Sequence, residues 1–474
     1  MAEGFADLAL RVMAGARWFA GKGRPVRVVR VLPLPWTVHR DDPAPGALVG
    51  VRSVLVVVAH DDVHPVATDT YQFLLAVRRP GPAEAPGAYG PCHDTSVTGA
   101  ADPLEVADAT RDPEAMAAVL TALAGSAAPS AGPSDLHPSS DTGAIHHHLL
   151  VPLPAADLRP RPFTGEQSNS SVFYGEALIL KVFRRLEIGH NLDIVVHEAL
   201  GRDAAGGTAV LYGWSEARWT DGRQVLGADL AMLTERFHDA HDGWRLALDA
   251  CAAGADFSTE AEALGRTLRL VHEGLARQFP TEDLDGDALA AAMTERLDTA
   301  QRTAPALRPY APALRTAFAV LAGRRVPAQH VHGDFHLGQV LRTTDGWRVI
   351  DFEGEPLKTL AERWAPDSRW RDVAGMLRSF DYASAAARPA SAALARTWRQ
   401  RCRTGFLSGY CGGPPATSDL AVLRAYEADK AVYEVVYEVR NRPDWVEIPL
   451  AAVAELASPS SDPSGGQSPN PEEK

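Results

Sequence analysis

The segment Val331–Pro356 constrains this chain more than any other. It reads Val-His-Gly-Asp-Phe-His-Leu-Gly-Gln-Val-Leu-Arg-Thr-Thr-Asp-Gly-Trp-Arg-Val-Ile-Asp-Phe-Glu-Gly-Glu-Pro. Asp345-Gly346 is a hairpin turn signal between two short β-prone runs, residues 339–342 and 347–350. Closing that turn lays the outer ends of the ribbon side by side. Asp334 sits on the loop before the first strand and Asp351 directly follows the second, so two acids distant in sequence meet at one edge, with Gln339 beside them. Such a set suits phosphoryl transfer. One carboxylate takes the proton of an attacking hydroxyl, while a second carboxylate and an amide oxygen hold Mg2+ against nucleotide phosphates. An Asp-Gly hairpin alone equally fits a surface ribbon with solvated acids. The combination of His-Gly-Asp, a side-chain oxygen five residues on and Ile-Asp-Phe-Glu after the hairpin sets this one apart.

A phosphotransferase also needs a cation on the nucleotide phosphates and a loop that cradles them. Lys181 lies in Leu178-Ile-Leu-Lys-Val-Phe183, where an apolar strand fixes its position. Upstream, across a Tyr174-Gly175 turn, Glu166-Gln-Ser-Asn-Ser-Ser-Val172 offers Gln167, Ser168, Asn169 and Ser170 as donors around phosphates, without the glycine-rich pattern of protein kinases.

The rest of the chain organises around these segments. Residues 51–59 and 70–78 predict strands, and Asp112 is the expected N-cap of a helix over 113–124. Residues 1–125 therefore form a β-rich domain. Residues 126–143 are a Ser/Pro/Gly-rich linker or surface loop, and residues 144–240 a small sheet with one helix. His146-His147-His148 fits a solvated strand edge better than a metal site, because consecutive residues cannot all face one ion. Residues 241–457 are mainly helical, interrupted once at 330–356. Thr259 and Glu262 predict a capping box for a helix with Ala261, Leu264, Leu268, Val271 and Leu275 along one stripe. Residues 458–474 have the composition of a disordered tail.

Composition narrows the function classes. With 47 basic against 60 acidic residues, the net charge of −13 disfavours nucleic acid as a partner. No apolar run approaches the roughly 18 residues of a membrane span, the N-terminus lacks a basic signal region, and four scattered cysteines suit neither disulfides nor a zinc ribbon. The expected compartment is the reducing cytoplasm.

In order, the chain presents a small-residue loop, a strand lysine, a helix, a mostly helical half, His-Gly-Asp and Ile-Asp-Phe-Glu. It resembles the protein-kinase-like fold of aminoglycoside phosphotransferases, and within that group it is similar to actinobacterial maltokinases. The matching segments are residues 17–24, 166–172, 179–185, 331–356, 365–368, 371–383 and 426–445. The resemblance implies an α+β protein-kinase-like two-lobe fold with an N-terminal β-rich cap domain. The cap would be 1–125, the nucleotide-binding N-lobe 144–240, and the C-lobe with the sugar pocket 241–457. It further implies that ATP and maltose give maltose 1-phosphate and ADP with Mg2+, a product used in glucan synthesis from trehalose, and it admits a complex with trehalose synthase. Carried over by position, Asp334 is the base, Gln339 and Asp351 are metal ligands assisted by Glu353, and Lys181 contacts ATP phosphates. The sequence departs from the family where an acid is expected at the start of the N-lobe helix: it has Asn191-Leu-Asp-Ile-Val195, which leaves Glu198, three residues later, either as the partner of Lys181 or as a solvated helix residue. Trp364 and Trp370 also replace smaller or charged residues in a loop where substrate choice could differ, and the cap looks short.

A neutral disaccharide is held by hydrogen bonds and by aromatic faces against its C–H surfaces. In the segment 426–445, on a helix, Tyr426, Lys430, Tyr433 and Tyr437 form one stripe and Glu427, Glu434 and Glu438 its neighbour, with Arg440, Asn441, Arg442 and Trp445 at its end. Such a stripe suits core packing as well as a sugar wall. Tyr433, Tyr437, Arg440 and Trp445 are the expected wall, and His336 either contacts the acceptor hydroxyl or braces the loop. The acidic stripe keeps a glucosamine or aminoglycoside acceptor open. A catalytically silent scaffold for a trehalose-metabolising enzyme is a third alternative.

Overall fold

The computed structural model describes residues 4–61, 67–82, 84–125, 144–163, 168–203, 207–355 and 358–458. The expected linker at 126–143, Gln167 of the expected phosphate loop, and the expected tail beyond Ser458 lie outside them. The chain divides into two compact units, Met1–Ala240 and His241–Lys474.

The first unit is built on two antiparallel sheets. In one, the order is Val26–His39, Leu48–His60, Ala67–Arg78, Leu104–Asp108 and Ala88–Cys92, with Arg185–Leu186 pairing onto Ala67–Arg78. Its alternating apolar runs fill the core: Val54, Val56, Val58, Phe73, Leu75 and Val77 pack with Phe5, Leu8, Ala9 and Met13 of the helix Phe5–Gly15. In the other, the order is Ile145–Leu149, Leu211–Thr220, Val225–Glu235, Leu178–Val182, Ser170–Tyr174 and Pro160–Pro162. The helix Pro113–Gly125 is capped as the sequence predicts, Asp112 accepting from the amides of Glu114 and Ala115. Its Met116, Val119, Leu120 and Leu123 share one core with Val172, Leu178, Leu180 and Val182, so the β-rich N-terminal segment and the second sheet are continuous inside. The three histidines occupy the edge strand of this sheet. There His147 meets Ser215 at 2.7 Å and His148 stacks on Trp214 at 4.4 Å, and they are not gathered around one point.

Polar stitches join the two sheets. Gln72, fully buried, donates to the carbonyls of Phe183 (2.8 Å) and Leu230 (2.9 Å) and accepts from Ser53. Arg184 is 0% exposed and reaches both oxygens of Asp108 at 2.8 and 2.7 Å, with its guanidinium 5.5 Å from the Trp18 ring. Losing either partner strands a buried charge, a cost of about 3–5 kcal/mol. This pair lies three residues past Lys181, so it also anchors the end of the lysine strand.

In the second unit helices dominate. The stripe Ala261, Leu264, Leu268, Val271 and Leu275 is wholly buried in the helix Ser258–Gln278. The expected capping box does not form. The helix starts one residue before Thr259, Asp256 accepts from the Ser258 amide, and Glu262 pairs with Arg266. A capping box closes instead at Thr359 and Glu362, opening Leu360–Trp364. The helical half is interrupted more than once: Glu282–Asp285 pairs with Arg325–Ala328, and His241–Asp242 adds a third strand to the hairpin. The long-range pairing of 282–285 with 325–328 carries no turn signal that sequence could show.

Candidate active site

The hairpin forms with Val340–Thr343 antiparallel to Gly346–Val349, Thr343 opposite Gly346. Gly346 closes the turn at φ +119°, a conformation that favours glycine. At the outer ends, the Ile350 amide donates to the Gln339 carbonyl (3.0 Å) and the Gln339 side chain meets Asp351 Oδ2 at 3.2 Å. Asp351 adopts φ +65°, a left-handed turn that aspartate tolerates and that ends the strand. Glu353 offers a carboxylate oxygen within 4.8 Å of one from Asp351. Gln339, Asp351 and Glu353 are hard oxygen donors gathered at one end of a ribbon. They fit a magnesium-sized divalent cation.

The loop carrying Asp334 is held from behind by Asp372, a residue sequence reasoning left without a role. Asp372 is 1% exposed and accepts from the amides of His332 (2.7 Å) and Gly333 (2.8 Å), while His272 Nε2 lies 2.9 Å away. Burial raises its pKa, but His272 and the amides outweigh that and hold it below the usual carboxylate range. His332 reaches the Ile350 carbonyl at 3.0 Å and so ties the loop to the strand that ends at Asp351. The helix Trp370–Ala386 approaches closely because position 375 is glycine: a Cβ there would stand 2.5 Å from the Phe335 carbonyl oxygen. His336 accepts from the Gly338 amide through Nδ1 (3.0 Å), which leaves Nε2 to carry the proton, 3.9 Å from Asp334. Burial pushes the His336 imidazole below the ordinary histidine range, against the pull of Asp334. Of its two expected roles, His336 performs the bracing one and also faces the cavity.

Asp334 opens into a cavity of about 750 Å³ in the second unit. One wall is the helix Thr417–Asn441, which supplies Lys430, Tyr433, Glu434, Tyr437 and Glu438. Tyr433 and Tyr437 stack at 6.4 Å, and Trp445, just past the helix, stacks on Tyr382 at 6.3 Å. The expected Arg440 is exposed and does not line the cavity. Arg442 does, with its guanidinium 5.5 Å from Tyr437 and 5.1 Å from Trp445. The helix ends at Asn441, so 440 falls on the outer face and the cation two residues later turns inward. Tyr426 is buried and hydrogen-bonds Asp367, and neither Trp364 nor Trp370 reaches the cavity. The acidic stripe is already paired: Glu427 with Arg403 (2.7 Å), Glu434 with Arg378 (2.8 Å), and Glu438 with Arg442 (2.7 Å). Trp244, Asp242 and Ser379, also cavity-lining, carried no sequence signal.

In the first unit, Lys181 lies on an internal strand, opposite Ser171 on one side and Met232 on the other. Leu178, Leu180 and Val182 face the core, and alternation turns Lys181 to the other face. Its Nζ stands 2.9 Å from Asp193 Oδ2, in the first turn of Leu192–Asp203. The expected pairing with Glu198 is incorrect. Five residues on, Glu198 is rotated about 140° around the helix at 3.6 residues per turn, and it pairs with Arg202. Burial would raise the Asp193 pKa, but Lys181 and His197 hold it far below the usual range. Asn169 accepts from the Arg184 amide and Ser170 from the Arg184 side chain, so these two side chains also fasten the lysine strand, while Ser168 is exposed.

The maltokinase N-terminal cap domain matches residues 13–112, and the phosphotransferase enzyme family matches residues 159–420. A glucosamine kinase of Streptacidiphilus jiangxiensis is 28% identical over 328 residues, 62% of this chain and 74% of that protein. A glucosamine kinase of Mycolicibacterium smegmatis is 29% identical over 321 residues, 62% of this chain and 79% of that protein. A glucosamine kinase solved with glucosamine, ADP and inorganic phosphate superposes with a TM-score of 0.59 at 22% identity, covering 96% of this chain and all of that one. Among the described residues no helix is long and apolar enough to cross a membrane. A β-rich N-terminal cap followed by a kinase-like α/β domain with this hairpin and lysine strand places the chain in the phosphotransferase enzyme family, with a maltokinase-type cap.

Proposed function

We propose that this protein transfers a phosphoryl group from ATP to the anomeric hydroxyl of maltose, giving maltose 1-phosphate and ADP for use in glucan synthesis. The observation that carries the proposal is Asp334 opening into a cavity whose aromatic and paired-charge walls suit a neutral two-ring sugar. The maltokinase-type cap supports the same acceptor. In this account Asp334 accepts the hydroxyl proton, and Asp372 keeps its loop in place through the His332 and Gly333 amides. His336, neutral and tethered to Gly338, orients beside it. Gln339 and Asp351, with Glu353, would hold Mg2+, which when bound neutralises phosphate charge. Lys181, positioned by Asp193, contacts ATP phosphates. Tyr433, Tyr437 and Trp445 supply flat surface for sugar rings, with Arg442 as donor.

An amino-sugar acceptor is the second reading, favoured by the two relatives described as glucosamine kinases. Against it, Glu434, Glu438 and Glu355 each have an arginine partner, leaving an ammonium no free claim on them. A silent scaffold is disfavoured because Asp334, Gln339, Asp351 and Lys181 are all present. Competition at sub-saturating concentrations tests the choice of acceptor. Maltose should exceed glucose in kcat/KM by roughly 10- to 10³-fold, because a second ring adds contacts worth a few kcal/mol at most. Trp445→Ala should erode that ratio mainly through the KM for maltose, since stacking on a remote ring is largely uniform binding. Equal use of glucose and maltose would overturn the two-ring acceptor.

The corrected lysine pairing gives a second test. Asp193→Asn should raise the KM for ATP by about tenfold, because Lys181 loses the charge that positions it. Glu198→Gln should leave that KM within about twofold, because Glu198 pairs with Arg202 on its own helix and not with Lys181. The reverse pattern in ATP-dependence assays would restore Glu198 as the partner.

A further inference from the structure

The cavity in front of Asp334 is lined by five carboxylates, Asp242, Asp334, Glu355, Glu434 and Glu438. Four of them meet a cation: Glu355 meets Arg371, Glu434 meets Arg378, Glu438 meets Arg442, and Asp334 meets Lys430 at 3.7 Å. Asp242 caps the next helix by accepting from the Arg245 amide. Three of the cations are arginines bound to glutamates, and one of them, Arg371, also donates to the Gly333 carbonyl beside Asp334 (3.3 Å). Lys430 differs. It projects from the middle of the helix Thr417–Asn441 to the carboxylate at the head of the cavity, with its ammonium 5.1 Å from the Tyr433 ring. Among the described residues the other basic group near Asp334 is the His336 imidazole, which accepts from the Gly338 amide through Nδ1 and is pushed below the ordinary histidine range by burial.

We propose that Lys430 determines the charge class of the acceptor: its ammonium, fixed between Asp334 and Tyr433, repels a protonated amino sugar and admits a neutral one. This rests on the sugar-kinase reading and adds the residue that enforces its specificity. An acceptor hydroxyl must approach Asp334, and any ring held there carries its neighbouring substituent toward the same carboxylate. A hydroxyl at that position accepts a hydrogen bond from Lys430. An ammonium cannot accept one, and two like charges about 4–6 Å apart in a half-desolvated site repel strongly enough to lower binding roughly tenfold or more. The carboxylates lining the cavity that could compensate are Asp242, Asp334, Glu355, Glu434 and Glu438. Asp242 is engaged as a helix cap, Glu355, Glu434 and Glu438 already serve Arg371, Arg378 and Arg442, and Asp334 must remain available to the hydroxyl. Paired carboxylates alone would make the cavity indifferent to charge. Lys430 makes it selective.

Glucose and glucosamine isolate the effect, because they differ only in the hydroxyl or ammonium at C2. In the wild type, kcat/KM for glucosamine should lie below that for glucose. Lys430→Gln should raise the glucosamine-to-glucose ratio about tenfold or more, whereas Lys430→Arg should leave it low. Should Lys430→Gln fail to fold, the wild type supplies a second measurement: the same ratio should climb with pH as the sugar's amine loses its proton. A ratio unchanged in a folded, glucose-active Lys430→Gln, or flat with pH in the wild type, would overturn the role of Lys430 alone. A wild type that consumes ATP with no sugar would overturn the sugar-kinase reading itself.

Discussion

Asp334→Asn should lower kcat by about 10²- to 10⁴-fold, the range over which a positioned general base contributes. The substitution keeps the shape of the side chain and the loop amides that Asp372 holds, so the fold and the affinity for ATP should stay close to wild type. What is lost is the oxygen that takes the proton of the sugar hydroxyl and the charge that meets Lys430. Steady-state rates at saturating sugar, beside ATP affinity from calorimetry, separate the two effects. Turnover within threefold of wild type would remove Asp334 from the role of base.

Asp351→Asn should cost about 10³-fold or more in turnover, since charge stabilisation by a bound metal is worth several kcal/mol and each 1.36 kcal/mol is tenfold. Asparagine is the informative replacement. Position 351 sits at φ +65°, where asparagine is tolerated and alanine would add backbone strain to the lost charge. Affinity for MgATP should fall, while affinity for ATP measured in EDTA should match that of the wild type in EDTA. Calorimetry thereby gives a readout independent of turnover. Undiminished MgATP binding by the variant would move the metal site away from the hairpin.

The hairpin was legible because its information is local. A turn signal and two short strands suffice to bring Asp334, Gln339 and Asp351 together, and no distant contact is needed to infer it. The lysine strand was legible for the same reason, through the alternation of Leu178, Leu180 and Val182 around Lys181. Glu198 stands nearest the family's glutamate position, yet it does not pair with Lys181. A shorter acid five residues earlier, in the first turn of the helix, reaches the lysine directly. Asp372 was overlooked since its role exists only in the fold, where a helix residue accepts from two amides 39 and 40 positions upstream. The acidic stripe on Thr417–Asn441 was visible, but its neutralisation was not, as Arg378 and Arg403 arrive from other helices. Arg440 was placed in the wall because periodicity does not show where the helix stops: it ends at Asn441, and the next residue takes a non-helical φ of −146°. Periodicity ranks faces within an element. It says nothing of which charges other elements bring to them.

The most direct test of the account is the identity of the phosphorylated product. Purified protein, ATP and Mg2+ are incubated with maltose, glucose and glucosamine together at equal sub-saturating concentrations, and the products are assigned by phosphorus and proton NMR. The account predicts maltose 1-phosphate as the dominant product, recognised by coupling of phosphorus to the anomeric proton. Dominant glucosamine phosphorylated at its 6-hydroxyl would contradict both the neutral acceptor and the role given to Lys430, while leaving the phosphotransferase fold and the assignments of Asp334 and Asp351 in place.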